Sequence, residues 1–305
     1  MLYSIEDINR EAKTDPKGFI ERSEAAYHDR IEKTVELLVK RQKEKPILLI
    51  NGPSSSGKTT TARLIGQAFL QHGIHAEVIS MDDYYRTRGS YIMPKDEYGL
   101  DDLEAPECMD LPLLHDHLAQ LAAGKEIQVP RYSFAEKRRT EETETVRLDP
   151  DEVAVIEGIH SLSDVLTGGL EDKATGLHLS VDSQVVLEDG TVLTADLLRF
   201  MRRAVRDRNF RGAPVQTTLR QWRSVRRGER LYIAPYLHHA TLSIDTYLPY
   251  ESCILMNQLQ GEIAHSEDAM RDEGLGALYD AIGSFALIDF EPYIPENSLL
   301  HEFIG

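Results

Sequence analysis

The sequence predicts an α/β fold, a mainly parallel sheet covered by helices on both faces, and three observations carry that prediction. Ile47–Ile50 and Val153–Ile156 are short, wholly apolar runs of strand length, the pattern of strands buried on both faces. Long segments with helical spacing separate such runs, so successive strands must run parallel through crossovers. A glycine- and serine-rich loop, GPSSSGKTT at Gly52 to Thr60, leaves the first of these strands and opens a helix.

Taken in order, residues 15–44 read as helical: Asp15 can cap, Pro16 suits the first turn, and Ile20, Tyr27, Ile31, Val35 and Leu38 recur at helical spacing. Pro46 closes this preface. After the loop, residues 58–71 have helical composition and stop at Gly73, a residue suited to a helix C-terminus. Residues 76–80 form the next strand, and 111–123 a helix ended by Gly124. Further strands are expected at 177–181 and 242–248 and helices at 194–208, 217–227, 251–260 and 266–282. No internal repeat or low-complexity tract interrupts the pattern.

Composition narrows the function. The 305-residue chain carries a formal charge of −17, which argues against a wide grip on nucleic acid or an anionic membrane. Cys108 and Cys253 stand far apart, so neither a disulfide framework nor a zinc site is expected. The opening residues carry acids early and no long apolar run follows, giving the expectation of a cytoplasmic protein without a signal peptide.

Gly52, Gly57, Lys58 and Thr59 satisfy G-x-x-x-x-G-K-[ST], the P-loop pattern. In such a loop the backbone N–H groups of Pro53's neighbours Ser54, Ser55 and Ser56 and of Thr60 wrap phosphate, the lysine reaches the outer phosphates and the hydroxyl binds Mg²⁺. The strand before and the helix behind supply the context that aims the helix dipole at the anion. No Asn-Lys-x-Asp base-reading motif lies downstream, as a GTPase would require, and the third strand ends in Glu157-Gly158 rather than the Asp-Glu of many motor ATPases. These features put a small-molecule kinase ahead of the other P-loop classes.

Asp82 and Asp83 follow the second strand, on the edge where ligands of open α/β sheets gather, and one of them could accept a proton from a substrate hydroxyl. Arg199, Arg202, Arg203 and Arg206 share one broad helical face, and Arg211 precedes a Gly-Ala-Pro loop. This pattern suggests a lid around residues 199–230 whose cations meet the migrating phosphoryl charge. His238-His239 invites a metal reading, but adjacent residues are expected to point apart. Trp222 is expected to be a packing residue, and His160 stands close enough to Glu157 in sequence to approach substrate.

From about Pro46 to Glu251 these residues resemble the uridine kinase and phosphoribulokinase family of P-loop kinases. The carriers are GPSSSGKTT, SMDDYY (80–85), LEAPECMD (103–110), PRYSF (130–134), VIEGIHSL (155–162) and RRAVRDRNFRG (202–212); the closing IPENSLLHEFIG is similar to the end of a bacterial uridine kinase-like branch. The resemblance implies an ATP- and Mg²⁺-dependent kinase acting on a nucleoside 5′-hydroxyl, most naturally of uridine or cytidine. It makes Asp82 the general base, places Tyr85, Glu104, Tyr132 and Phe134 around the nucleoside, gives Mg²⁺ to Thr59 and Glu157, and gives phosphate contacts to Lys58, Arg203, Arg206 and Arg211. With the helical pattern read along the chain, the expected division is a helical extension (1–45), a kinase domain (46–260) and a helical segment packed on it (261–305).

The chain departs from the family at Lys137, where a base-reading histidine is usual, at Glu104, where an aspartate is usual, and at Ala213, where the lid's second arginine is usual. An ammonium only donates hydrogen bonds, whereas neutral imidazole also accepts, so Lys137 alters how a base edge would be read. Two alternatives therefore stand beside the nucleoside kinase: a kinase of another hydroxyl-bearing metabolite such as a phosphosugar, and an ATP-binding sensor that transfers nothing. The N-terminal helix could pack on its own domain or on a second copy in a homo-oligomer.

Overall fold

A computed structural model describes residues 1–305. Five parallel strands form the central sheet in the order Ala240–Asp245, Ala174–Ser180, Ile47–Asn51, Val153–Glu157, Ala76–Ser80. The predicted α/β class and every predicted strand are present. Alternation along the strands builds two cores: Leu48, Ile50, Val153, Val155, Leu177 and Leu179 face one layer of helices, while Ile47, Leu49, Ala154 and Ile156 face the helix Leu111–Ala122. This is the three-layer arrangement that full burial of the strands demands.

Register fixes where the chemistry can sit. Glu157 is paired with Ile50 on one side and Ser80 on the other, so the loop after Asn51, the acids after Ser80 and Glu157 itself emerge at one edge of the sheet.

The helix predicted over 15–44 is present as Pro16–Val39, with Asp15 accepting the Gly18 N–H at 3.0 Å as its N-cap; an unpredicted helix, Ile5–Thr14, precedes it and stops there because Pro16 cannot continue it. Leu2–Ser4 adds a short strand parallel to Gln184–Val186. Phe19, Ile20, Tyr27, Ile31, Val35 and Leu38 are buried in the larger core of the same chain, so the extension packs on its own domain. The predicted helix over 266–282 breaks into Glu267–Asp272 and Gly276–Asp280 at Gly274, whose φ is +76°. An antiparallel hairpin, Ile127–Ser133 with Arg138–Val146, had no counterpart in the predicted elements; its second strand, RRTEETETV, is almost wholly polar and lacks the period-2 apolar pattern. No helix is long and apolar enough to cross a membrane.

Candidate active site

The loop Gly52–Gly57 is held from behind. Arg199 donates to the Ser54 carbonyl (3.2 Å), Arg202 to the Ser55 carbonyl (3.3 Å) and the Thr246 hydroxyl to the Ser56 carbonyl (2.8 Å). With these oxygens pinned, the N–H groups of Ser55 and Gly57, on the opposite edges of the same peptide planes, turn away from the pins, as a phosphate cradle requires. Ser55 (φ +60°) and Gly57 (φ +82°) both adopt left-handed backbone to close the turn. Leu299 lies where a Gly57 Cβ would stand, its Cδ1 2.5 Å away, so the position excludes a side chain twice over.

In front of the loop opens a cavity of about 310 Å³. Its lining joins Ser54, Ser55, Lys58 and Thr59 of the loop and its helix, Asp82 and Glu157 at the sheet edge, Tyr85, Glu104, Tyr132, Phe134 and Lys137, and Arg203, Arg206 and Arg211. The structure thus brings together fourteen of the residues singled out from sequence. Gly52, Pro53, Ser56, Gly57 and Thr60 serve the loop from outside that lining. Lys58 Nζ hydrogen-bonds the Pro53 carbonyl at 3.0 Å, folded over its own loop. The Ser55 hydroxyl is buried without a partner, a polar group that a phosphate oxygen at this position would satisfy.

The paired acids divide their work. Asp83 accepts from the Tyr132 N–H (3.1 Å) and from Arg131 (2.9 Å), strapping the hairpin to the sheet edge. Asp82 faces the cavity. Its carboxyl pKa is raised by the concave protein walls, against the opposing pull of Lys58 and Arg211. Glu157, 4% exposed, is raised in the same way by burial and then by Asp82. Its Oε1 accepts from Ser80 (2.6 Å) and from Thr59 (3.3 Å). Two raised carboxyl groups beside a threonine hydroxyl form a donor set suited to a divalent cation, whose charge would relieve both.

Tyr85, Tyr132 and Phe134 form one aromatic cluster, with ring centroids 5.6, 5.8 and 5.1 Å apart. Phe134 is 59% exposed and offers its ring to the cavity. Glu104 sits on the segment after Asp102, which is tied to the helix Val215–Tyr232 by Arg227 (2.8 Å) and Tyr232 (3.0 Å). Arg203 reaches Ser54 Oγ at 2.6 Å and stands 3.9 Å from Glu104. Asp207 gathers Arg203, Arg206 and Arg211 within 3.4 Å.

Arg199 and Arg202 are buried, paired with Glu229 and Glu251, and hold the loop from below, whereas Arg203 and Arg206 of the same helix reach the cavity. His160 does not line the cavity: its Nε2–H donates to the Glu104 carbonyl (2.9 Å), and burial lowers its pKa to about 4, keeping it neutral. His238 and His239 do not point apart as expected. In a 3₁₀ turn their rings stack 4.0 Å apart beside Asp164, which accepts from His239 at 2.9 Å. Trp222 is fully buried edge-on to Phe200, a packing residue. Sequence reasoning gave no role to Arg88, Tyr91, Met93, Leu103, Ile159 and Glu302, which also line the cavity. Of these, Leu103, Ile159 and Glu302 lay within quoted motifs, LEAPECMD, VIEGIHSL and the closing IPENSLLHEFIG.

A parallel sheet with a glycine-rich phosphate loop, an acid facing that loop's lysine and a set of converging arginines define a P-loop kinase. The chain belongs to the phosphoribulokinase/uridine kinase family, whose model matches residues 47–249. It is 32% identical over 204 residues to a uridine kinase of Bacillus pumilus, covering 66% of this chain and 87% of the relative. It is 30% identical over 201 residues to a uridine kinase of Borrelia turicatae, covering 65% and 85%. A structure from Silicibacter sp. TM1040, proposed to be a fructose transport system kinase, superposes with a TM-score of 0.53 at 18% identity, over 70% of this chain and 98% of that one, and shares the fold. The protein is accordingly a phosphotransferase of this family, and the family implies ATP as donor.

Proposed function

We propose that the protein transfers the γ-phosphoryl group of ATP to the 5′-hydroxyl of a nucleoside, with uridine or cytidine as acceptor. The observation that carries this reading is the three-ring wall of Tyr85, Tyr132 and Phe134 in the same cavity as Asp82 and Lys58. A planar base stacks on such a wall, and its ribose then reaches toward Glu104 and Asp82. Aliphatic sugar phosphates gain little from three aromatic rings. The segment from Arg86 to Asp110 is also poor in free cations: Arg88 and Lys95 both pair with Asp101, and Arg86 lies 4.0 Å from Asp110. The charge of that segment favours a neutral acceptor.

In this reading Lys58 and the loop amides hold the β- and γ-phosphates, and Asp82 takes the hydroxyl proton. Arg203, Arg206 and Arg211, aligned by Asp207, neutralise charge on the transferring group. Thr59 and Glu157 would hold Mg²⁺, which when bound supplies positive charge to the phosphate oxygens. Glu104, kept in place by His160 and Asp102, receives the ribose hydroxyls, and Lys137 lies beside the base edge.

The test is incubation of the purified protein with Mg-ATP and a panel of nucleosides, neutral sugars and sugar phosphates, with products separated by ion-exchange chromatography. Formation of a pyrimidine nucleoside 5′-monophosphate is expected. Product from a sugar phosphate alone would overturn the acceptor assignment, and bound ATP without product from any acceptor would make the protein a sensor.

A further inference from the structure

The segment Ser298–Gly305 enters the phosphate site, an arrangement that no motif reading assigned a role. Leu299, Leu300 and Phe303 are fully buried in the larger core. The Asn209 amide donates to the carbonyls of Phe303 (3.3 Å) and Ile304 (3.1 Å), and Ser298 donates to buried Glu24 (2.5 Å). The Arg202 guanidinium lies 5.0 Å from the centre of the Phe303 ring. Leu299 packs against the loop itself at Gly57. Between these anchors Glu302 is only partly buried; it lines the cavity with Lys58 and Asp82, and its Oε2 accepts the backbone N–H of Thr60 at 3.1 Å.

Thr60 N–H belongs to the first turn of the loop helix, Lys58–Gln71, whose opening N–H groups have no partner within the helix. That turn is where a P-loop receives its anion. We infer that Glu302 is an internal competitor for the nucleotide: its carboxylate occupies a phosphate-accepting N–H, and nucleotide phosphate must displace it. Because Leu299 and Phe303 clamp the backbone on either side, the carboxylate withdraws by side-chain rotation rather than by release of the segment. Glu302 thereby sets nucleotide affinity, holding it below what the loop alone would give. The inference rests on the reading of the loop as a nucleotide phosphate site, but not on the identity of the acceptor.

The experiment is calorimetric titration of the full chain with ADP in EDTA, so that no cation bridges carboxylate and phosphate, comparing wild type with Glu302→Gln and Glu302→Ala. The variants are expected to bind ADP about three- to thirtyfold more tightly, the range set by one carboxylate at a helix N-terminus. Their melting temperatures without ligand should fall slightly while the ADP-induced rise grows. General damage to the segment would lower both, so tighter binding separates competition from a structural role. Binding by both variants that is equal to or weaker than wild type overturns the inference while leaving the phosphate site in place. Failure of wild type and variants alike to bind ADP overturns both.

Discussion

Arg202 and Glu251 form a two-pronged ion pair, each contact 2.7 Å, with neither side chain exposed, directly beneath the phosphate loop. The pair joins the helix Ala195–Arg211 to the helix Glu251–Ile263, and Arg202 spends a further N–H on the Ser55 carbonyl. Burial raises the Glu251 pKa and Arg202 opposes the rise. Arg202→Met leaves that carboxyl without its cation, and we expect a loss of about 3–5 kcal/mol of stability by chemical denaturation. The sign with pH follows from the raised value: a protonated Glu251 tolerates burial, so the loss is smallest in acid and grows as pH rises through its folded-state pKa. A pH-independent loss would place the destabilisation in packing.

Asp82→Asn should separate activity from stability. Removing the proposed base lowers turnover by about two or more orders of magnitude. The same change removes a carboxylate that raises the Glu157 pKa and whose own pKa is raised by burial. Both carboxyl groups are raised, so the wild-type protein is penalised above those values, where both ionise, and relieved below them. The variant without ligand is therefore expected to melt higher than wild type at neutral to alkaline pH, with the gain vanishing in acid. Turnover like that of wild type would remove Asp82 from the mechanism, and an unchanged melting temperature at pH 8 would show that the two acids do not repel.

Gly57→Ala tests the loop turn. Its φ of +82° costs an L-residue about 1–2 kcal/mol, and the added methyl meets Leu299. Relief by shifting the loop moves the cradle, so ADP affinity should fall at least about tenfold together with stability. Retained affinity with reduced stability would show that Leu299, not the loop, gives way.

The sheet and the loop were legible because fully buried parallel strands leave unbroken apolar runs, such as Ile47–Ile50, and because a phosphate cradle needs glycine and lysine at fixed spacing. Asp82, Glu157 and the aromatic residues came from motif resemblance, and the cavity contains them all. What sequence could not distinguish was direction. Arg199, Arg202, Arg203 and Arg206 have the same spacing whether they point to solvent, loop or cavity, and only packing against Glu229 and Glu251 separates the pins from the cavity lining. The second hairpin strand, Arg138–Val146, was invisible because it is mostly exposed and its stabilising contacts, Arg139 with the Tyr84 and Tyr85 carbonyls and with Asp110, are remote in sequence. Glu302 was silent for the same reason: its partner, Thr60, lies 242 residues away.

Phe134→Ala tests the acceptor wall most directly, because the side chain is 59% exposed and supports no core. It meets only Tyr85 and Tyr132 among aromatic rings, at 5.8 and 5.1 Å, so its loss should move the melting temperature little. If a base stacks there in both the ground state and the transition state, the interaction is uniform, and KM for the nucleoside should rise about five- to thirtyfold with kcat nearly unchanged. KM for ATP should not move, since in this reading the loop and Lys58 hold ATP and the rings do not. A fall in kcat at constant KM would instead mean that Phe134 orients the hydroxyl toward Asp82, and no effect on any nucleoside would remove the aromatic wall from acceptor recognition.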